Sequence, residues 1–579
     1  MKSYDGCWTC RLRKKRCDEF RPECRNCSTL QIVCYFDDEK PAWMDNAAGQ
    51  KEKAEEVKRE VKSAAARRRG VLSPDTLEPS IIEPDMDTST SNTIPNPLAS
   101  STESTTGNGY VTLSDTADEG LVSSIFDVNR AEAELDRRFV MLYLDHFFPF
   151  LFPFYKPLLL DGGRTWILEL AASDQAMWQI TLCLSAYFVS VTLDGTVSGR
   201  EVCKVAAWEK LLKQVEITFT VLHRNLQEVN PSGAHDMLVK TARIMGNIIQ
   251  LQRFEIAVGN FDNWQKHLNA AISLFKNIFK NAEGLRDDGE PSDLDTILTL
   301  MGRPLWTTKA HVHGARNSDQ AAFRFYSSLL MVDDIVAGIC TGEAPQLREY
   351  HARLLTKDTF TDEKPSLSLE DFMGCENWVV LQMAEISALD AWKKQTRKTG
   401  RLDMMQVVAR ASTIQQKLLE NLARLDNTTN TSQPSWLGVF GVYNDQLPPM
   451  PGGCVAFVTR VWAHAALLYL TVTVSGWQPG SAGIRGNVTR ILALLERMPT
   501  PELLRTVVWP YCIVGCLCEP AEEAQLRAMA DSLVPHRLYG PARKAFDIME
   551  NVWRRRNELD IDTDFATCVG SLGYTSLLV

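Results

Sequence analysis

Six of the fifteen cysteines fall within 28 residues, at Cys7, Cys10, Cys17, Cys24, Cys27 and Cys34. Each half reads CxxC, six residues and a third Cys, so the second half repeats the first seventeen positions on. Thiolates are soft donors that select zinc, and a structural zinc site takes four of them in a tetrahedron. Six cysteines supply the eight bonds of two such sites only if two sulfurs are shared. The spacing therefore predicts a binuclear site holding two zinc ions. A disulfide framework belongs to small secreted chains, yet Met1-Lys2-Ser3-Tyr4-Asp5 opens no apolar signal segment and the other nine cysteines are scattered. An iron–sulfur cluster would use four cysteines rather than a doubled set of three.

The two halves differ in charge. Arg11-Leu12-Arg13-Lys14-Lys15-Arg16 puts five cations in six positions, whereas Ser28-Thr29-Leu30-Gln31-Ile32-Val33 has none. One half suits a polyanion and the other is expected to pack. The chain as a whole carries −10, but unevenly. Residues 1–70 hold 17 Lys+Arg against 12 Asp+Glu, and residues 71–125 hold nine acids and no Lys, Arg or His. A basic head on an acidic body keeps a nucleic-acid footprint local.

The cysteine spacing, with Pro22 between the halves, resembles the binuclear Zn2Cys6 cluster of fungal transcription factors. That resemblance implies Cys7 and Cys24, the first cysteine of each half, as bridging ligands. It implies that Arg13 and Lys14, three and four residues after the second cysteine, read guanine O6 and N7 in the major groove of a CGG-like triplet. Arg11, Lys15 and Arg16 then contact phosphates, which position without specifying.

Beyond the cluster, Asp45 suits an N-cap, and residues 46–69 are rich in helix formers. Ala47, Ala54 and Val61, with Val57 and Ala64, trace a thin heptad seam, so a solvated basic linker helix is favoured over a dimerising coiled coil. From Val71 to Ile125 the composition turns to Ser, Thr, Pro and acid with a single aromatic, Tyr110, and reads as a disordered tether. From Phe126 helical periodicity dominates. Trp264, Leu268, Ala271, Phe275 and Ile278 mark one helix face, and Val407, Ala411, Ile414, Leu418 and Leu422 another. No run of about 18 uncharged apolar residues suggests a membrane span, the nearest approach being Phe139 to Leu160.

Lys40-Pro41-Ala42-Trp43-Met44-Asp45 and the patches Tyr143-Leu144-Asp145-His146, Gly162-Gly163-Arg164, Leu184-Ser185-Ala186-Tyr187 and Trp509-Pro510 resemble fungal regulators with a fungal-specific transcription factor domain of the second type. No GxSxG, P-loop, strand-linked GxGxxG or HExxH occurs, so no enzyme is expected. His311 and His313 read as loop residues, and Cys512, Cys516 and Cys518 as core. The expected layout is a small Zn2Cys6 cluster domain (1–40), a basic linker helix (41–70), a disordered acidic linker (71–125) and a large all-α regulatory domain (126–579). The function this implies is a nuclear, zinc-dependent, sequence-specific RNA polymerase II regulator of a metabolic, drug-tolerance or secondary-metabolite gene set. Its expected partners are double-stranded DNA, transcription machinery or co-regulators and, if the seam is used, a second copy, with no membrane. The alternative is a zinc-module scaffold without specific DNA binding.

Overall fold

The computed structural model describes residues 6–13, 15, 17, 24, 27, 32–35, 41, 50, 53, 54, 57 and 58, then 133–157, 163–192, 217, 221, 224, 234–284, 293–303, 316–356, 365–427, 453–532, 540–573 and 575–579. The chain forms two compact units, Met1–Thr112 and Leu113–Val579. The expected tether at 71–125, most of the helix at 46–69, and His311 and His313 lie outside the described residues.

In the first unit the short helix α1 (Trp8–Leu12) opens the cysteine module. In the second unit the principal helices are α2 (Thr165–Ser173), α3 (Gln175–Thr192), α4 (Ala234–Ala257), α5 (Trp264–Glu283), α6 (Ser318–Thr341), α7 (Arg348–Leu355), α8 (Asn377–Lys398), α9 (Met404–Asn427), α10 (Cys454–Ser475), α11 (Ala482–Glu496), α12 (Val508–Cys516) and α13 (Gly540–Arg554). No strand occurs among the described residues. The periodic faces sit as the sequence predicts: Trp264, Leu268, Ala271, Phe275 and Ile278 are buried on α5, and Val407, Ala411, Ile414, Leu418 and Leu422 are the buried residues of α9.

Helix α6 is the axis of this unit. A capping box starts it: the Asn317 side chain accepts from the Gln320 N–H at 2.9 Å, and Gln320 Oε1 accepts from the Asn317 N–H at 2.9 Å. Gly342 ends it at φ 73°, a left-handed backbone that glycine adopts without steric cost. Between the caps nearly every residue is buried, so the helix has no solvent face, and α2, α4, α5 and α8 pack around it. Buried nearly all round, it still carries two adjacent carboxylates. Asp333 pairs with Arg253 of α4, and Asp334 accepts the Gln346 and Leu347 N–H groups at 3.0 and 2.8 Å. Burial pushes both carboxyls up to about 6, against the pull of Arg253 on the one and of the two backbone donors on the other.

Helices α8, α9 and α10 pack on one another, and α8 joins them to α6. Here the stretch nearest to a membrane span differs from the one expected, Phe139 to Leu160. Helix α10 is, by length and composition, long and apolar enough to cross a membrane, although Arg460 and His464 interrupt its apolar run. Its apolarity is spent inside the protein: Val458, Val461, Ala463, Ala465, Ala466 and Leu468 are fully buried. The aromatics from Phe147 to Tyr155 also form core, with Phe148 and Tyr155 in ring contact with Phe325 of α6 at 5.5 and 4.9 Å. Cys512, Cys516 and Cys518 are buried, as expected of core residues.

One core group reports on pH. The His351 side chain of α7 is buried, and its Nε2 has no hydrogen-bond partner among the described residues. Burial lowers its pKa from 6.5 to about 4, with Glu385 opposing and Arg348 reinforcing the shift. Between pH 6.5 and 4 the unfolded chain then binds the proton more tightly, so stability falls as pH drops through that window. His351→Leu removes the group. Relative to the unsubstituted protein it should gain about 2 kcal/mol between pH 7 and pH 5, read from paired denaturant titrations.

Candidate metal centre and nucleic-acid interface

The two halves of the cysteine motif fold alike. In the first, the Cys10 N–H donates to Cys7 Sγ at 3.3 Å and the Cys7 N–H to Cys17 Sγ at 3.4 Å. In the second, the Cys27 N–H donates to Cys24 Sγ and the Cys24 N–H to Cys34 Sγ, both at 3.4 Å. The backbone repeats as well, since Lys15 N–H donates to the Cys10 carbonyl at 3.0 Å and Ile32 N–H to the Cys27 carbonyl at 3.2 Å. Every one of these bonds has its counterpart seventeen residues on. The CxxC turn is thus a device that aims backbone donors at sulfur, which favours the thiolate.

All six cysteines are free thiols. Cys7, Cys10, Cys17 and Cys24 form one group whose sulfurs all lie within 4.8 Å of one another, and Cys7, Cys24, Cys27 and Cys34 form a second. Cys7 and Cys24 belong to both. A ZnS4 tetrahedron with bonds of about 2.3 Å has edges of about 3.8 Å. The separations Cys7–Cys24, Cys10–Cys24 and Cys7–Cys27 are 3.7, 3.7 and 3.8 Å, so the donor set fits two zinc ions.

Without a cation this crowding is costly. Burial pushes the Cys7 and Cys27 thiols up, and takes Cys10 to about 11. Burial raises Cys24 too, but hydrogen bonds from the Cys27 N–H and the neighbouring thiols outweigh it and bring that group down to about 7. A dication beside these sulfurs would remove the penalty for all of them.

The basic run begins on α1. Arg11 lies over the Trp8 ring at 4.6 Å, Arg13 closes the helix with its N–H bonded to the Thr9 carbonyl, and Lys15 is exposed. Lys14 and Arg16 lie outside the described residues. From the uncharged run of the second half, Ile32 is buried against the cysteines, as expected, whereas Val33 is 52% exposed. Val33 contributes its backbone instead. Its carbonyl accepts from Thr9 Oγ1 at 2.8 Å, which in turn accepts from the Tyr35 N–H at 3.1 Å, while the Trp8 N–H donates to the Tyr35 carbonyl at 2.8 Å. These bonds tie the end of the second half to α1.

The model of the fungal Zn(2)-Cys(6) binuclear cluster domain matches residues 5–42, and that of the fungal specific transcription factor domain matches residues 138–579. The chain belongs to the fungal Zn2Cys6 transcription factors. Their cluster domain binds two zinc ions, and this regulator is a DNA-binding transcription factor rather than an enzyme. It is similar to a Pestalotiopsis microspora protein named transcription factor dibT, 34% identical over 629 residues spanning 100% of this chain and 99% of the relative. It also resembles pestheic acid cluster transcriptional regulator 3 of Pestalotiopsis fici, 27% identical over 96% of this chain and 95% of the relative. A third relative is the trichothecene biosynthesis transcription regulator TRI10 of Trichoderma arundinaceum, 25% identical over 72% of the chain and 91% of the relative. No solved structure matches the chain.

One contact in this regulator escaped sequence reasoning. Gln50, Lys53, Ala54, Val57 and Lys58 are helical, and Val57 is only 3% exposed, packed in the same apolar cluster as the cysteines and Ile32. Lys53 lies over the Tyr35 ring at 5.1 Å. Val57 therefore packs within its own module, while seam positions Ala47, Val61 and Ala64 lie outside the described residues. The available signal was one of two valines, Val57 and Val61, in an alanine-rich segment. Val57→Asp buries a carboxylate beside the sulfurs and should speed zinc transfer to a chelator by roughly an order of magnitude, whereas Lys58→Gln, at an exposed neighbour, should leave the rate unchanged.

Proposed function

We propose that this protein is a nuclear, zinc-dependent RNA polymerase II regulator that reads CGG-like triplets and governs a secondary-metabolite gene cluster. The domain layout in this reading is a cluster domain at 1–40, a linker helix at 41–70, an acidic tether at 71–125 and a regulatory domain at 126–579. Cys7, Cys10, Cys17, Cys24, Cys27 and Cys34 hold the zinc ions, with Cys7 and Cys24 bridging. What supports this assignment is that Cys7 and Cys24 alone are members of both four-sulfur groups. Arg13 and Lys14 read guanine, and Arg11, Lys15 and Arg16 hold phosphates. Support for their roles is that Arg11 and Arg13 sit on or next to α1, whose first turn is built on the Cys7 sulfur. The gene-set reading is supported by the names of relatives, which include regulators of pestheic acid, ustiloxin B and trichothecene production. Co-regulators or a second copy would act through the helical body or the linker helix.

Selection of randomised duplex DNA by the zinc-loaded protein, with and without a chelator, tests the DNA reading. Enrichment of a CGG-like triplet that chelation abolishes is expected, and a lack of enrichment would replace it with the scaffold reading. Lys14→Ala should cost about 1–3 kcal/mol of discrimination between cognate and scrambled sites, whereas Arg16→Ala should weaken both equally and flatten the salt dependence by about one phosphate contact. Equal losses for Lys14→Ala on both DNAs would contradict this division of roles. Because a bridging sulfur serves both ions, Cys24→Ser should lower the zinc content per chain further than Cys17→Ser, measured by elemental analysis.

A further inference from the structure

The helical unit contains a cleft of about 410 Å³ between α8 and α9, closed at one end by Arg348 of α7. That volume lies within the range of small-molecule sites, roughly 300–1,000 Å³. Buried apolar side chains lie at its floor: Leu389 of α8 and Ile414 of α9 are 3% and 7% exposed, and Trp392 lies beside them on the α8 wall. Its rim is cationic. Arg348, Arg410 and Lys417 face a single carboxylate, Glu385, which Arg348 already engages at 2.7 Å.

Two of these cations have no acidic partner among the described residues. Arg410 and Lys417 stand seven positions apart on α9, and therefore on one face of it. The Arg410 guanidinium is held over the Trp392 ring at 4.3 Å. A guanidinium placed by an aromatic face rather than by a carboxylate keeps its N–H donors for an incoming anion. The cleft also holds an acceptor in want of a donor. Gln382 is 9% exposed, and its Oε1 is buried with no hydrogen-bond partner among the described residues. Such a group costs about 1–3 kcal/mol while unpaired, so a ligand that donates to it recovers that amount.

We propose that this cleft binds a small organic anion: a planar, ring-containing molecule that bears a carboxylate and a hydrogen-bond donor. The ring covers Leu389, Ile414 and the Arg410–Trp392 stack. The carboxylate meets Arg410 and Lys417, and the donor satisfies Gln382 Oε1. The site lies on helices of the 126–579 region and shares no residue with the cysteine module, so its existence does not depend on how DNA is read.

The test is fluorescence anisotropy of 6-hydroxy-2-naphthoate, which carries both the carboxylate and the donor, with the full-length zinc-loaded protein, compared with the uncharged alcohol 6-(hydroxymethyl)-2-naphthol, which keeps the donor. The carboxylate is expected to saturate the protein and to bind at least about tenfold more tightly than the alcohol, the scale of a charge-assisted contact. Arg410→Gln combined with Lys417→Gln should abolish that preference while leaving the melting temperature unchanged. If the double variant melts lower, Lys417→Glu alone, at an exposed helix position, carries the same comparison. Absence of saturable carboxylate binding, or a preference that survives these substitutions in folded protein, overturns the proposal.

Discussion

Thiol sulfurs held 3.7 Å apart, each with a backbone N–H aimed at it or at a neighbour, form an arrangement that only a cation makes comfortable. The N-terminal module depends on that constraint. Besides its cysteines, its described core amounts to Ile32 and Val57, too little apolar surface to pay the entropy of ordering the chain. Metal binding and folding are therefore one event, and α1 with its cations is ordered by the same bonds that order the sulfurs. The linker helix joins this economy through Val57, so the boundary between cluster and linker is a line in the sequence rather than a gap in the packing.

The helical unit is stabilised in the opposite way. It buries a large continuous apolar core around α6, and two of the carboxylates it admits are specifically placed. Asp333 is paired by a guanidinium from α4, and Asp334 by the backbone of the turn that leads into α7. Such groups cost stability relative to an apolar residue, but they fix how α4 and the turn at Gln346 and Leu347 meet α6. His351, one turn into α7, has no such compensation and stays neutral.

These two modes of stabilisation separate two kinds of chemistry. The cysteine module presents a short helix with fixed cations, a surface suited to a polyanion. The helical unit offers a partly enclosed cleft in which cations rim an apolar floor, a shape suited to a small anion. In the module the Cys7 sulfur caps the helix that carries the cations, whereas in the cleft Trp392 holds the Arg410 guanidinium.

Much of this was legible in the amino-acid order. The seventeen-residue repeat predicts paired sulfur groups because ligand number and geometry are properties of zinc and thiolate, independent of the surrounding fold. The buried faces of α5 and α9 follow from a 3.6-residue period, which is local. What the order of residues left undecided were contacts made between segments. Val57 reads as a seam residue, and only its packing against the cysteines assigns it to its own module. Reading along the chain takes Phe139 to Leu160 as the nearest approach to a membrane span and passes over α10, whose apolar surface is shown by its neighbours to face protein. Arg410, Trp392 and Gln382 carry no motif, and became a candidate site because α8 and α9 bring them to one cleft. Period, propensity and metal coordination act over a few bonds and can be read along a chain, whereas burial and enclosure belong to which faces meet, and that is decided only when the whole chain packs.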